Sequence, residues 1–494
     1  MTETAKKKRG MPSSFTILLA LLAIVAVITV IVSGTSGGAV TAARLSDFCT
    51  APILGFKDAL PVCLFVMILG GFLGMMTETG ALDNGIAVLV QKLKGNEIML
   101  IPVLMLIFSL GGTTYGMCEE TVPFYALLAA TMMAAGFDPM VGAATVLLGA
   151  GCGCLGSTVN PFAVGAAVDA LSADKVGIAV NQSIIIGLGA VLWIVTTAIS
   201  IVYVMSYAKK VKADKGSTIL SMQELKDAEE AHGKAASEVH KEVKLTGRQK
   251  GVLIAFAFTF VVMIVGFIPL ADLNEGVANF FDAGAVYDAD GNAVVQGWSA
   301  LITGLPIGQW YFDEASTWFF LMAILIGIIG GLSEKQIVNT FISGAADMMS
   351  VVLVIALARG ISVLMANTGL DQYVLNAAAD ALAGLSGVIF APMSFLVYFG
   401  LSFLIPSTSG MATVSMPIMG PLAVELGFSP EVMVMIFSAA IGVVNLFTPT
   451  SGAIMGGLAL AKIEWTTWLK FALKLIVALS VVCAVILTVA CVLI

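Results

Sequence analysis

Charge is what this sequence has least of. Of 494 residues, 11% are Asp, Glu, Lys or Arg and 59% are hydrophobic, with a mean hydropathy of +1.00. Soluble domains carry roughly 25% charged residues, so a water-soluble globule is excluded and an all-α integral membrane protein is implied. Histidine is almost missing. His232 and His240 both fall in a polar stretch, which excludes Ser-His chemistry inside the membrane. H-E-x-x-H, G-x-S-x-G and Walker A motifs are absent, and "DKGST" at 214–218 lacks the P-loop spacing, so no enzyme is expected. The short alternating segments of a membrane β-barrel are absent too. The cysteines number seven and lie mostly in apolar runs, which suits packing better than a disulfide frame. Cys152 and Cys154 form a C-x-C pair without partners for a metal site. No metal or cofactor is expected, and the partners implied are the lipid bilayer and a small molecule, not nucleic acid.

Long apolar runs are what the chain has in their place. Residues 14–33, 183–207, 251–270 and 466–494 are each long enough to cross a bilayer. Lys6, Lys7, Lys8 and Arg9 precede the first run, which places the N-terminus in the cytoplasm. A cleaved signal peptide is the competing reading. The polar stretch 208–250 holds ten basic residues and reads as a cytoplasmic, solvated helical linker. A connecting span follows at 251–271. The stretch 272–316 carries Asp272, Glu275, Asp282, Asp288, Asp290, Asp313 and Glu314 with no Lys or Arg, and should face outside.

The chain also repeats itself. Thr79-Gly80 matches Thr368-Gly369, and "GFDP" at 136–139 matches "GFSP" at 427–430. Gly116-Met117 with Pro123 matches Gly410-Met411 with Pro417. "STVNP" at 157–161 matches "TPTSG" at 448–452 in the same register. The first unit, 14–207, starts inside. The second, 317–494, starts outside, so the two are inverted. Each unit reads as a span, a second span (59–77; 348–367), an amphipathic segment (82–95; 370–384), a re-entrant hairpin (98–135; 388–426), a broken helix (139–172; 431–463) and a closing span. The expected fold is an inverted-repeat transporter with nine spans, two re-entrant hairpins and two broken helices, its C-terminus outside.

Gly, Ser, Thr, Asn and Pro cluster at four places: "GGTTYGM", "GSTVNPF", "IPSTSGM" and "FTPTSGA". Unwound backbone at membrane depth is tolerated where it is buried in protein or lines a cavity. Free N–H groups at a half-helix start suit a carboxylate, and freed carbonyls and hydroxyls suit Na⁺. Ser and Thr can also simply back-bond to helix carbonyls while Gly lets helices approach. That reading accounts poorly for four clusters at equivalent positions. Glu119 and Glu120 follow the first tip and have no acidic counterpart at the second. An ionisable residue in a membrane is a functional hypothesis by default. Such a glutamate could hold a substrate cation, carry a coupled proton, or pair with Arg359, the lone Arg of "IALARGISVL". Glu120 is the first choice for substrate or cation. Arg359 is equally a structural partner or a carboxylate clamp.

"GMCEETVPF", "GSTVNPF" and the later "PSTSGM" and "TPTSG" resemble the YfcC-type carriers, which are grouped with the anaerobic four-carbon dicarboxylate carriers. The resemblance covers nearly the whole chain. It implies a scaffold domain, often dimeric, a moving transport domain, and an elevator mechanism in a bacterial cytoplasmic (inner) membrane. It also implies substrate and ion roles for Thr113, Thr114, Ser157, Thr158, Asn160, Ser407, Thr408, Ser409, Thr448, Thr450 and Ser451. Members are described as arginine/ornithine exchangers and as dicarboxylate carriers. The tips "GTTYG" and "PSTSG" lack the Asn of the dicarboxylate type. A cationic amino acid balances Glu119 and Glu120, whereas a dicarboxylate sets anion against anion unless Na⁺ or H⁺ intervenes. The expected function is secondary active transport of an amino acid, cationic by preference. The alternative is a Na⁺- or H⁺-coupled carrier of a dicarboxylate or neutral amino acid. A channel is the other rival, but no repeated selectivity filter is present.

Overall fold

The computed structural model describes residues 14–494 except 83, 86–87, 89–95, 172–175, 239–243, 269, 274, 289–292 and 406. The Lys6–Arg9 cluster, His240, Asp290 and most of the amphipathic segment expected at 82–95 lie outside the described residues. Apolar runs become helices because a helix satisfies its own backbone where water is missing. The first half comprises α1 (Ser14–Ser33), α2 (Leu45–Asp58), α3 (Leu60–Glu78), α4 (Leu100–Tyr115), α5 (Val122–Ala134), α6 (Pro139–Leu155), α7 (Ala166–Leu171) and α8 (Gln182–Ala213). A wide helical turn at Pro161–Gly165 leads into α7. Then come α9 (Met222–Glu238) and α10 (Gly247–Phe267). The acidic stretch holds two short helices, α11 (Leu270–Leu273) and α12 (Glu275–Phe281). It also forms a small antiparallel pair, β1 (Val286–Tyr287) with β2 (Ala293–Val295), a minor exception to an all-helical chain. The second half comprises α13 (Phe312–Gly330), α14 (Glu334–Asp347), α15 (Met349–Thr368), α16 (Leu370–Leu382), α17 (Gly387–Leu404), α18 (Thr408–Glu425), α19 (Pro430–Val444), α20 (Gly452–Leu460) and α21 (Trp465–Leu493).

Among the described residues, eight helices are long and apolar enough to cross a membrane, where the sequence reading expected nine spans. The difference has two sources. Each broken helix divides into halves too short to count, Pro139–Leu155 with Pro161–Leu171 and α19 with α20. Meanwhile Glu97–Tyr115, read as one arm of a hairpin, is itself of spanning length.

The halves match element by element. The helix pair α2 and α3 corresponds to α14 and α15, each pair joined across a single residue, Ala59 or Met348. Gly80 and Gly369 end the second members with φ of +63° and +73°, a backbone state that glycine reaches without strain. Asp138 and Ser429 cap α6 and α19, accepting hydrogen bonds from Val141 N–H and Val432 N–H. Both α2 and α14 escaped the sequence reading because they are amphipathic rather than apolar. The signal for α14 was present: Ser333 and Gln336 form a capping box.

The most buried elements are α6 and α19. Both α4 and α5 pack on α6, while α17 and α18 pack on α19. Separately, α2 packs along α15, and α3 along α14. At one end of the bundle, Asp138 accepts from Tyr207 O–H (2.6 Å) and Thr218 O–H (2.7 Å), and Lys212 pairs with Glu97 at 2.8 Å. At the start of α8, Asn181 N–H donates to Glu431 (2.7 Å), whose other oxygen accepts from Ser429. The equivalent caps Asp138 and Ser429 therefore sit at opposite ends of one 32-residue helix, roughly 48 Å long at 1.5 Å per residue.

The polar stretch 208–250 is more than a solvated linker. Along α9, Glu224, Ala228 and His232 are buried at i, i+4 and i+8, and the helix packs on α5. Glu224 accepts from Glu464 N–H (2.9 Å), and His232 Nε2 lies 3.1 Å from the Leu460 carbonyl.

Candidate substrate site

A cavity of about 230 Å³ opens between the two halves. It is lined in register by α6 and by α19 with its C-cap: Leu147 with Ser438, Ala150 with Ile441, Gly151 with Gly442, and Cys154 with the cap Asn445. The breaks that come after these helices supply Asn160 and Ser451, again at matching positions. Each is an N-cap. Asn160 Oδ1 accepts from Phe162 N–H (2.9 Å) and Ala163 N–H (3.3 Å), and Ser451 Oγ from Ile454 N–H (3.5 Å). Ser407 caps α18 by accepting from Gly410 N–H at 3.1 Å. With Glu119–Thr121 before α5, four helix starts face one space, each carrying partial positive charge.

Of the residues singled out from sequence, Glu119, Glu120, Asn160, Ser407, Thr408, Ser409, Thr450, Ser451 and Arg359 line this cavity. Glu120 is 1% exposed, and its Oε2 accepts from Cys118 N–H at 2.9 Å, so part of its carboxylate is held by its own turn. Glu119 is half-buried and the more open of the two. The others do different work. Thr113 Oγ1 donates to the Gly156 carbonyl (2.6 Å), and Thr158 N–H and Oγ1 both donate to the Thr113 carbonyl (2.9 and 3.0 Å). Ser157 donates to Cys154 O (2.6 Å) and accepts from Asn160 Nδ2 (2.9 Å). Thr114 back-bonds to Leu110 O (2.7 Å), and Thr448 bonds Thr450 within its own turn (2.7 Å). Thr113 and Thr158 thus stitch the first hairpin tip to the first break, and Ser157 ties the break to itself, rather than facing the cavity. Gly116 completes the stitch: its φ is +81°, and a Cβ there would fall 2.5 Å from Asn160 Oδ1.

The ion-pair partner of Arg359 is Asp58, not either glutamate: Arg359 Nε meets Asp58 Oδ2. Asp58 was not singled out from sequence, and neither were Asn445, Ser438, Phe162, Phe312 and Tyr125, all of which line the cavity. Asn445 was legible in principle, since it lies three residues before Thr448 in the break. Ser438 sits inside an apolar helix and gives no local signal. Its Oγ is buried and unpartnered among the described residues, which leaves a polar atom for a ligand or water to satisfy. Cys152 and Cys154 face different partners, Ser200 Oγ and Met117 O.

A sequence profile of the DcuC family, described as C4-dicarboxylate anaerobic carriers, matches residues 38–492. An "Uncharacterized protein" of Haemophilus influenzae is 28% identical over 447 residues, covering 90% of this chain and 78% of its own length. The protein described as "Putative basic amino acid antiporter YfcC" of Escherichia coli is 27% identical over 442 residues, covering 87% and 77%. Two solved structures align over most of both chains. MtrF of Neisseria gonorrhoeae does so at 17% identity and TM-score 0.45, covering 98% of this chain and 96% of its own. The YdaH transporter of Alcanivorax borkumensis does so at 16% and 0.49, covering 96% and 98%.

Proposed function

This chain belongs to the C4-dicarboxylate anaerobic carrier (DcuC) family, and within that family of secondary transporters we propose that it carries a cationic amino acid of the arginine/ornithine type. The observation that carries the reading is the charge balance of the cavity. Its side chains include three carboxylates, Asp58, Glu119 and Glu120, and one guanidinium, Arg359. Asp58 and Arg359 neutralise each other, which leaves two glutamates against four helix starts of roughly half a positive charge each. A substrate with one carboxylate and one cationic tail matches both kinds of group. A dicarboxylate brings two more anions beside two glutamates, which burial makes costly unless a cation accompanies them. Phe162, Phe312 and Tyr125 also line the space, and their ring faces suit a guanidinium. Glu119, the more open carboxylate, takes the tail. The name of the Escherichia coli relative agrees with this reading.

The family's own description favours a second reading, a four-carbon dicarboxylate moved with Na⁺ or H⁺, and the four helix starts are what support it. In either case the two halves are inverted repeats, which is supported by Asp138 and Ser429 lying at opposite ends of α8. The hairpins and broken helices move as a unit against α1–α3, α10 and α13–α16 in an elevator cycle, in a homodimer within the bacterial inner membrane, with the N-terminus inside and the C-terminus outside.

Counterflow into vesicles preloaded with unlabelled arginine tests the substrate. Labelled arginine should accumulate without a Na⁺ or proton gradient, Glu119→Gln should reduce the rate at least tenfold, and Glu120→Gln should do less. Uptake of succinate or fumarate that requires Na⁺ or a pH gradient, with no arginine exchange, would establish the second reading instead.

A further inference from the structure

The Asp58–Arg359 pair exists because two helices touch at glycine. A Cβ at Gly55 would lie 2.3 Å from both Ala356 O and Gly360 N, and one at Gly360 would lie 2.7 Å from Ala51 O. Only glycine permits that approach of α2 to α15. One turn past Gly55, at the last residue of α2, stands Asp58. Next to Gly360 stands Arg359. The crossing therefore delivers opposite charges to one spot, and that spot opens onto the cavity: the side chains keep 45% and 30% of their exposure, and both line the site. A strut between packed helices would be sealed, and this pair is not.

The pair is also incompletely used. Arg359 spends Nε on Asp58, while a guanidinium has five N–H donors. Its Nη1 points toward the second hairpin tip, 4.0 Å from where a Cβ on Gly410 would sit. There Ser407 caps the start of α18, so a guanidinium and a helix N-terminus flank the same place. Asp58 bonds through Oδ2, and its Oδ1 takes no partner among the described residues.

We infer that this pair reads the backbone end of the substrate, Arg359 binding the α-carboxylate and Asp58 the α-ammonium. The inference rests on the amino acid reading above and sharpens it into a rule of selection. An α-amino acid sets one anion against the free donors of Arg359 and one cation against the free Oδ1 of Asp58, so the cluster stays balanced. An amine with the same tail adds a cation and no anion for Arg359, and an N-acylated acid adds an anion and no cation for Asp58. Either leaves a net charge on a partly buried pair, an arrangement that sites reject strongly. A dicarboxylate meets Asp58 with the wrong sign.

The test is competition against labelled arginine in vesicles holding the full-length protein, with arginine, agmatine and Nα-acetylarginine as competitors. Agmatine lacks the carboxylate, and Nα-acetylarginine lacks the α-ammonium. In wild type, each analogue should compete at least roughly tenfold less well than arginine. Asp58→Asn should bring arginine down to the level of Nα-acetylarginine while the preference over agmatine persists. Arg359→Gln should do the reverse. Ratios of half-inhibitory concentrations within one variant do not depend on how much protein folded, so a destabilised variant still reports. If all three ligands compete equally in wild type, or weaken in parallel in both variants, the pair is a strut and the inference falls while arginine transport stands. If wild type takes no arginine at all, the substrate reading falls and this inference with it.

Discussion

At the scale of single residues, glycine decides how close the helices that line the cavity come. A Cβ on Gly112 would sit 2.2 Å from Ala150 O and 2.8 Å from Cys154 N, and one on Gly153 would sit 2.2 Å from Ser109 O. These are backbone atoms of α4 and α6, so no side chain can rotate away. Gly112→Ala or Gly153→Ala should therefore cost about 1–3 kcal/mol or more, read as a lower unfolding temperature of the detergent-solubilised protein. Gly187→Ala, with nothing within 4 Å of the added Cβ, is the control and should change little. The clusters of Gly, Ser and Thr looked alike in sequence, yet they divide into stitching and lining groups. Thr113 and Thr158 bond to each other's segment, while Ser407 and Ser451 cap helices that start at the cavity. Composition reveals where backbone unwinds. It does not reveal which hydroxyl turns inward, because that depends on which segment lies opposite.

At the scale of elements, α9 behaves as a clasp. It packs on α5 and bonds the 460–464 loop, so it joins the first hairpin to the end of the second broken helix. Burial holds the His232 pKa below its ordinary value of about 6.5; the bond to Leu460 O opposes that, and the Lys462 charge adds to it. The docked helix thus binds fewer protons than the released one. Its stability is fully present above about pH 6.5 and is lost as pH falls through that value toward the lowered pKa. Amide exchange over 222–238 should accelerate at pH 5.5 relative to pH 7.5 after correction for intrinsic rates, and His232→Gln should remove the dependence. Exchange that is equally slow at both values, in both proteins, would show that protonation does not touch docking.

At the scale of the whole molecule, the proposed inversion of the two halves makes a prediction about sides. With exposed Cys49 first replaced by Ser, single cysteines at Thr35 and Ala283 should react with a membrane-impermeant maleimide from outside. Cysteines at Lys215 and Lys335 should react only once the membrane is opened. All four positions are exposed in the fold. Thr35 follows the first span of one half and Lys335 the first span of the other, so labelling both from the same side would exclude inverted halves.

Sequence alone determined the medium, the repeat and the places where helices break, because those depend on local chemistry. Bilayer-length apolar runs have one stable backbone solution, Gly80 and Gly369 end helices wherever they occur, and Asn160 and Ser451 cap the helical turns next to them. The family resemblance was legible for the same reason, since the tips that carry it are contiguous motifs. Tertiary structure decided what no local pattern encodes. It made Glu97–Tyr115, one arm of the first hairpin, a helix of spanning length. It folded amphipathic α2 and α14 against partners far along the chain, and it turned a polar linker into a docked helix. It also gave Arg359 an acid from 301 positions away, because two glycines let α2 and α15 touch. Charge pairing across the membrane interior is a property of helix contacts, and those form only when the two halves close on each other.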